Sequence, residues 1–501
     1  MARRRQLIVA HDLGTSGDKA SLHDASGRLL AATTVAYATD FGPGGRAEQD
    51  PEDWWRAFCE ATRTLLATSG ARPADVACVV LSGQMMGLVL VDAADAVLRP
   101  AIIGADTRAQ AERDELAARV GLERGYAITG HRLDATYSLA KAMWVRAHEP
   151  DTWSRAEGIL LAKDYVTLRL TGRRCTDPSD ASGTNAWDQA AGTWSAELLG
   201  AAELDAGLLP EVLPSTTVAG GLLAGASRAC GLLEGTPVVV GGGDGACAAL
   251  GAGLVTRASG ANVAIGSSAW ISVASDAPLR DPRMRTFTFD HVIPGRYVPT
   301  GTMQAGGASL DWLVTTLGAT SGADRVALFA AAAEVEAAGE GLFFLPYLLG
   351  ERSPIWDARA RGTFVGLARH HGPAHVARAV LEGVAFNLRT ILLALREVAG
   401  AIPSVDAVGG GARSDVWLRI VADAWGATVR RRSIVDEANS LGAAVVGGMA
   451  VGLIDGWVRA SELSTVEAVI EPDPVRHERY VAWHARFADA WERLAPWFAG
   501  G

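Results

Sequence analysis

VVVGGGDGACAAL, residues 238–250, joins an apolar run to three glycines, a single carboxylate (Asp244) and an alanine-rich stretch able to start a helix. A short run of β-branched residues suits a buried strand, and glycines permit the sharp turn that ends it. Asp244 has two readings on this stretch alone. It caps the helix that follows, a role Asp fills well, or it is a chemically active carboxylate that the turn holds in place.

The same device recurs along the chain. LIVAHDLGTSGDKASL (7–22) and ANVAIGSSAWISVA (261–274) read as hairpins with Gly/Ser/Thr turns. VDAVGGGARSDVWLRIVADAWG (405–426) repeats the order of strand, GGG and helix. The sequence hairpin, GGG, hairpin, GGG predicts two halves on one plan, 1–252 and 253–501, with the boundary in GAGLVTRASG. Strand-like runs alternate with amphipathic stretches elsewhere, so the expected class is α/β with largely parallel sheets. The stretch after Gly456 predicts a helical tail over about 476–498.

Composition narrows the function. The chain has 501 residues, 49% of them hydrophobic and 20% charged, enough for large cores. A net charge of −10 without a long basic block argues against nucleic acid or a membrane surface as partner. Five cysteines, an odd number without CxxC, predict a reduced cytoplasmic protein with neither a zinc site nor a disulfide framework. The start, MARRRQLIVAHD, has too short an apolar run for a signal peptide.

Three of the turns suit phosphate. In DLGTSGDK, Asp12 ends a strand, Gly14 and Gly17 allow tight backbone, Thr15 and Ser16 bring hydroxyls, and Lys19 adds a positive charge. GSSA brings Gly266, Ser267 and Ser268. GGGARS places Gly410, Gly411 and Ser414 at the start of a helix, where bare backbone can meet a nucleotide. Each of these alone also reads as an ordinary structural turn; the ordered set carries the argument. Neither GxGxxG nor GxxxxGK[ST] fits, so Rossmann and Walker sites are not indicated.

The chain resembles the FGGY carbohydrate kinases over roughly residues 5–455, with the xylulokinase-like members nearest. The resemblance rests on DLGTSGDK, SGQMMG (82–87), VLRPAIIGADTRA (97–109), DPSDASGT (177–184), GGGDGACAALGAG (241–253), GERSPIWDARARGTFVGL (350–367) and GGGARSDVWLRIVADAWG (409–426), in that order. It implies two ribonuclease-H-like, actin-type domains closing on ATP and a sugar or polyol. It also implies Mg²⁺, a homodimer, and D-xylulose as the first substrate to consider. Asp244 would be the catalytic base, with Asp12 and Asp244 on the Mg²⁺ shell through water. Gly14, Thr15, Ser16, Lys19, Gly266, Ser267, Ser268, Gly410, Gly411 and Ser414 would hold the nucleotide, joined by Gly307 in QAGGASLDW (304–312). Gln84, Met85, Met86, Asp106 and Gly245 would meet the sugar.

Two departures fall in the sugar segments. Met86 stands where the xylulokinase-like members usually carry His, and Gly104–Ala105 where they tend to have Trp-Asn. Both changes predict a larger, more apolar cavity edge and a shift in substrate, with ribulose, a pentitol or tetritol, glycerol or an aldonate such as gluconate as alternatives. Met85 and Met86 also read as plain core residues. Glu351, Arg352 and Asp357 read as structural braces. His370–His371 lack Cys or carboxylate partners at ligand spacing, which argues against a metal there. A nucleotide-binding switch on the same fold is the reading outside the enzyme class.

Overall fold

The computed structural model describes residues 6–319, 321–433 and 438–500. The basic start read above, residues 1–5, lies outside the described residues. Two mixed sheets organise the chain, drawn from residues on either side of 252.

The first sheet contains β1 (Leu7–Leu13), β2 (Gly17–His23), β3 (Leu29–Ala36), β4 (Val76–Gly83), β5 (Val218–Gly221) and β6 (Pro237–Gly243), in the order β5-β6-β4-β1-β2-β3. The second contains β7 (Ala261–Ile265), β8 (Ala269–Val273), β9 (Phe287–Asp290), β10 (Tyr297–Met303), β11 (Ser404–Val408), β12 (Thr428–Arg432) and β13 (Val466–Ile470), in the order β9-β10-β8-β7-β11-β12-β13. Each half has three neighbouring antiparallel strands, β1-β2-β3 or β7-β8-β10, and β9 adds an antiparallel edge to the second. Two parallel strands follow the first of the three, β4 and β6 or β11 and β12. An antiparallel strand closes that edge, β5 or β13. The expectation of largely parallel sheets is corrected. Only the central pairs are parallel, because the glycine hairpins force their strands to run antiparallel.

The four glycine turns lie where they were read. Gly14–Ser16 joins β1 to β2, and Gly266–Ser268 joins β7 to β8. β6 runs directly into α2 (Asp244–Gly251), after α1 (Pro51–Ser69). β11 passes through a tight turn at Gly410–Arg413 into α5 (Asp415–Trp425). Between them lie α3 (Gly307–Thr316) and the long α4 (Pro373–Ala399). Asp50 caps α1, its side chain accepting the Glu52 N–H. Trp54 beneath it is fully buried.

α6 (Ala438–Ala450) departs from a simple division at 252. Leu441, Ala443 and Val446 share a core with Ile8, Ala10, Cys78 and Val80 of the first sheet and Cys247 and Leu250 of α2. The helices α2 and α6 meet at glycines. A Cβ on Gly251 would lie 1.9 Å from the Ala438 carbonyl, and one on Gly442 would lie 1.9 Å from the Cys247 carbonyl. Backbone therefore packs on backbone where the second half returns to the first. The tail forms α7 (Pro474–Ala499), capped by Asp473. All five cysteines are buried and free. Among the described residues, no helix is long and apolar enough to cross a membrane.

Candidate active site

Asp12 lies one residue before the end of β1, opposite Lys19 of β2 and beside Ser82 of β4. Directly opposed residues of an antiparallel pair share a face, so the Lys19 charge acts on Asp12. Burial pushes the Asp12 carboxyl up to about 6, against the pull of Lys19 and of a hydrogen bond from Asn439 Nδ2 at 3.2 Å. The turn beyond it is tied down from outside. Gln49 Nε2 donates to the Thr15 carbonyl at 2.6 Å, and the Tyr37 hydroxyl donates to the Gly14 carbonyl. Thr15 and Ser16 stay exposed at the tip. Gly17 is a packing glycine: its Cβ would lie 2.8 Å from the Val35 carbonyl.

Asp244 is the first residue of α2, and Gly243 occupies the cap position. Asp244 Oδ1 accepts the Gly245 N–H at 2.7 Å, so one oxygen serves the helix start. Its other oxygen makes no hydrogen bond among the described residues and remains for the cleft. Burial, then the charge of Asp12, raises the Asp244 carboxyl to about 7. The turn before it is held from behind. The Gly243 N–H donates to Ser179 Oγ at 2.9 Å, and Ser179 Oγ donates to Asp177 Oδ2 at 2.6 Å. Lys163, fully buried, lies 2.7 Å from Asp164, 3.2 Å from Asp177 and 3.4 Å from Asp180. DPSDASGT is thus the support of the Asp244 turn.

A cavity of about 180 Å³ opens on Asp244. Met85, Met86 and Gly245 line it from the first half; Trp270, Ser272, Phe287, Thr300, Thr302 and Arg352 line it from the second, with Asn439. Met86 has a left-handed backbone, φ 65°, uncommon for a long side chain and typical of positions held by their surroundings. Lys141 does the holding: buried, it donates to the carbonyls of Met86 at 2.7 Å and Ile103 at 2.8 Å. Desolvation lowers the Lys141 ammonium to about 7.

Two sequence-predicted sugar contacts are placed elsewhere. Asp106 is fully buried; its carboxylate accepts the Ala47 N–H at 2.6 Å and pairs with Arg108 at 2.5 Å. Gln84 Nε2 donates to Gln49 Oε1 at 2.8 Å and lies behind the first turn. Neither lines the cavity. Gly104 and Ala105 do not enlarge its edge either. A Cβ on Gly104 would lie 2.8 Å from the Met85 carbonyl, so that position is closed by backbone, and Ala105 is exposed.

A second cavity, about 370 Å³, gathers Gly266, Ser267, Gly307, Gly410, Gly411 and Ser414 from three separate segments. α3 docks on the β7–β8 turn through Gly307 N–H to the Gly266 carbonyl at 2.7 Å and Ala308 N–H to the Ser267 carbonyl at 3.0 Å. The two glycines of GGGAR differ in role. A Cβ on Gly410 would meet nothing within 4 Å, whereas one on Gly411 would strike Ile265 at 2.5 Å and Trp417 at 2.6 Å. Gly410 leaves open approach and Gly411 serves packing. Ser414 caps α5 by accepting the Trp417 N–H, and Ser268 shares the β7–β8 turn without lining the cavity.

Arg352 and Asn439 escaped the sequence reading as site residues. GERSPIWD was read as a brace, which holds for Glu351: its oxygens accept Gln304 N–H at 2.8 Å and Asn387 Nδ2 at 2.9 Å. The histidine pair gains an unforeseen neighbour, Glu340, 2.8 Å from His370 Nε2. His371 Nδ1 accepts the Ala368 N–H, so its Nε2 carries the proton and offers no lone pair for a metal.

The arrangement supports transfer between two bound molecules. The second cavity offers bare backbone and helix starts to a nucleotide, the first offers hydroxyl-sized polar contacts, and the two carboxylates belong to the first sheet's turns. The model of the FGGY family of carbohydrate kinases, N-terminal domain, matches residues 7–251, and that of the C-terminal domain matches 261–451. The chain is 34% identical to the xylulose kinase of Escherichia coli K12 over 493 residues, 98% of this chain and 100% of the relative. Among solved structures, the xylulose kinase of Rhodospirillum rubrum aligns with TM-score 0.91 at 33% identity, over 99% and 100% of the two chains. The gluconate kinase of Lactobacillus acidophilus aligns with TM-score 0.93 at 26% identity, over 99% of each. Matched in both halves by these models and along nearly its whole length by such relatives, the chain belongs to the FGGY family of carbohydrate kinases.

Proposed function

We propose that the chain phosphorylates a ketopentose, D-xylulose first, with ATP as donor. One observation carries this reading at the site: Asp244 has an oxygen free at the sugar-sized cavity and a proton affinity raised to about 7. A base with its pKa near the operating pH suits proton removal from a hydroxyl as phosphoryl transfer proceeds. The xylulose kinases among its relatives support the choice of sugar.

Asp244 accepts the hydroxyl proton at its free oxygen. Gly245 N–H and the Gly243–Ser179–Asp177 chain keep that oxygen aimed. Gly266, Ser267 and the start of α3 face the phosphates, and the open flank of Gly410 receives the adenosine. Lys19 adds charge beside the first turn.

The donor set fits a divalent cation: Asp12 and Asp244 are two carboxylates whose burial and mutual repulsion leave them short of positive charge. Asp12, and Asp244 through water, would hold Mg²⁺, which would neutralise charge on the phosphates. The buried free thiols suit a reducing, cytoplasmic setting.

A coupled ADP-release assay across ketoses, pentitols, tetritols and aldonates tests the reading. D-Xylulose should give the highest kcat/KM by tenfold or more. An aldonate or polyol in first place would refute the choice of substrate and leave the kinase assignment standing.

A further inference from the structure

Arg352 belongs to the second half, yet it reaches the cavity that holds Asp244. Its ring partners are Phe287, 5.6 Å from the guanidinium carbon, and Trp356 at 5.4 Å. These contacts fix the plane of the fork without using its N–H groups. Nη2 is buried and has no hydrogen-bond partner among the described residues. Leaving a buried donor of a charged group unmade is costly, so such a group usually has a ligand or water to serve. The rest of the lining offers few competing donors. Ser272 and Thr300 hydroxyls bond each other at 2.9 Å, Thr302 donates to the Ala269 carbonyl, and Met85, Met86, Trp270, Phe289 and Val298 bring apolar surface. Asp244 is an acceptor already assigned to the reacting hydroxyl.

The geometry points to Arg352 as a specificity-determining residue that reads the carbonyl end of the sugar. Its fork donates to the ketone oxygen and the neighbouring hydroxyl oxygen of a ketose whose far hydroxyl lies at Asp244. This inference rests on the ketopentose reading and adds to it the group that recognises the ketone. A planar two-donor fork suits two oxygens on adjacent carbons, one of them an in-plane carbonyl acceptor. The corresponding pentitol has an sp³ hydroxyl there and loses that fit. A site built to bond one polar group discriminates against its replacement.

Competitive binding of D-xylulose and of a matched pentitol, with ATP turnover as reporter, tests this in wild type, Arg352→Met and Arg352→Lys. Wild type should bind the ketose at least tenfold more tightly than the pentitol. Arg352→Met should weaken the ketose roughly 10–100-fold, the range for a hydrogen bond to a charged group, while the pentitol changes less than fivefold and the KM for ATP less than twofold. Arg352→Lys should recover only part of the ketose affinity, since one ammonium replaces a fork. Equal losses on ketose and pentitol, or full recovery by Lys, would overturn the inference and mark Arg352 as a brace between the halves. Wild type that fails to phosphorylate any ketopentose would overturn the underlying reading before the variants are compared.

Discussion

Asn439 Nδ2 donates to Asp12 Oδ2 at 3.2 Å, joining residues 427 positions apart in the chain. The bond links the start of α6 to the end of β1 and opposes the rise that burial imposes on the Asp12 carboxyl. Asn439→Leu should therefore raise the Mg²⁺ concentration needed for half-maximal activity, by roughly tenfold if the bond is worth what bonds to charged groups usually are. Raising the pH should restore part of the loss, because the variant's Asp12 then ionises. A Mg²⁺ titration at two pH values checks both; an unchanged activation constant would detach Asp12 from the metal.

Gly410 tests the nucleotide cavity separately from stability. A methyl group there meets nothing within 4 Å, so Gly410→Ala should fold and melt like the parent. It would occupy the space proposed for adenosine, and the KM for ATP should rise about tenfold, as one lost close contact surface commonly costs. A KM within twofold of the parent would move the adenosine elsewhere.

Gly442 tests the joint between the halves. Its Cβ would lie 1.9 Å from the Cys247 carbonyl, and backbone on both sides has little freedom to yield. Gly442→Ala should destabilise by on the order of 2 kcal/mol, as overpacking does, and lower the melting temperature. Parent-like melting would mean that α2 and α6 separate easily.

The raised Asp244 carboxyl makes a prediction for the protein without Mg²⁺ or ATP. Its folded value, about 7, exceeds the ordinary 3.8, so between these values the folded state keeps a proton that the unfolded chain releases. Wild-type stability from this group is present below about pH 4 and is lost as pH rises through 7. Asp244→Asn lacks that loss, so its stability relative to wild type should improve from pH 5 to pH 8. Parallel melting curves across that range would contradict the burial of this carboxylate.

The glycine turns were legible because a turn is a local matter: DLGTSG, GSSA and GGGAR each state their backbone in a few residues. GSSA and GGGAR meet at the second cavity, while the DLGTSG turn lines neither cavity. Asp106 and Gln84 are less legible for the opposite reason: their polar groups bond away from the cavity. A carboxylate is legible in the sequence, but whether it faces a ligand depends on partners such as Ala47, 59 positions away. Arg352 was hidden in the same way, since only the fold brings Phe287 and Trp356 to its guanidinium and leaves its Nη2 without a partner among the described residues. The departure at Gly104 predicted space, yet the Met85 carbonyl fills it. The return of α6 to the first sheet carried no local sign beyond small residues.

The central claim is that Asp244 removes a proton from the sugar, and the most direct measurement is the turnover of D-xylulose by Asp244→Asn. The variant should bind ATP as the parent does and lose about 10²–10⁴-fold in kcat, the usual contribution of a positioned base. A kcat within a few-fold of the parent would contradict the account.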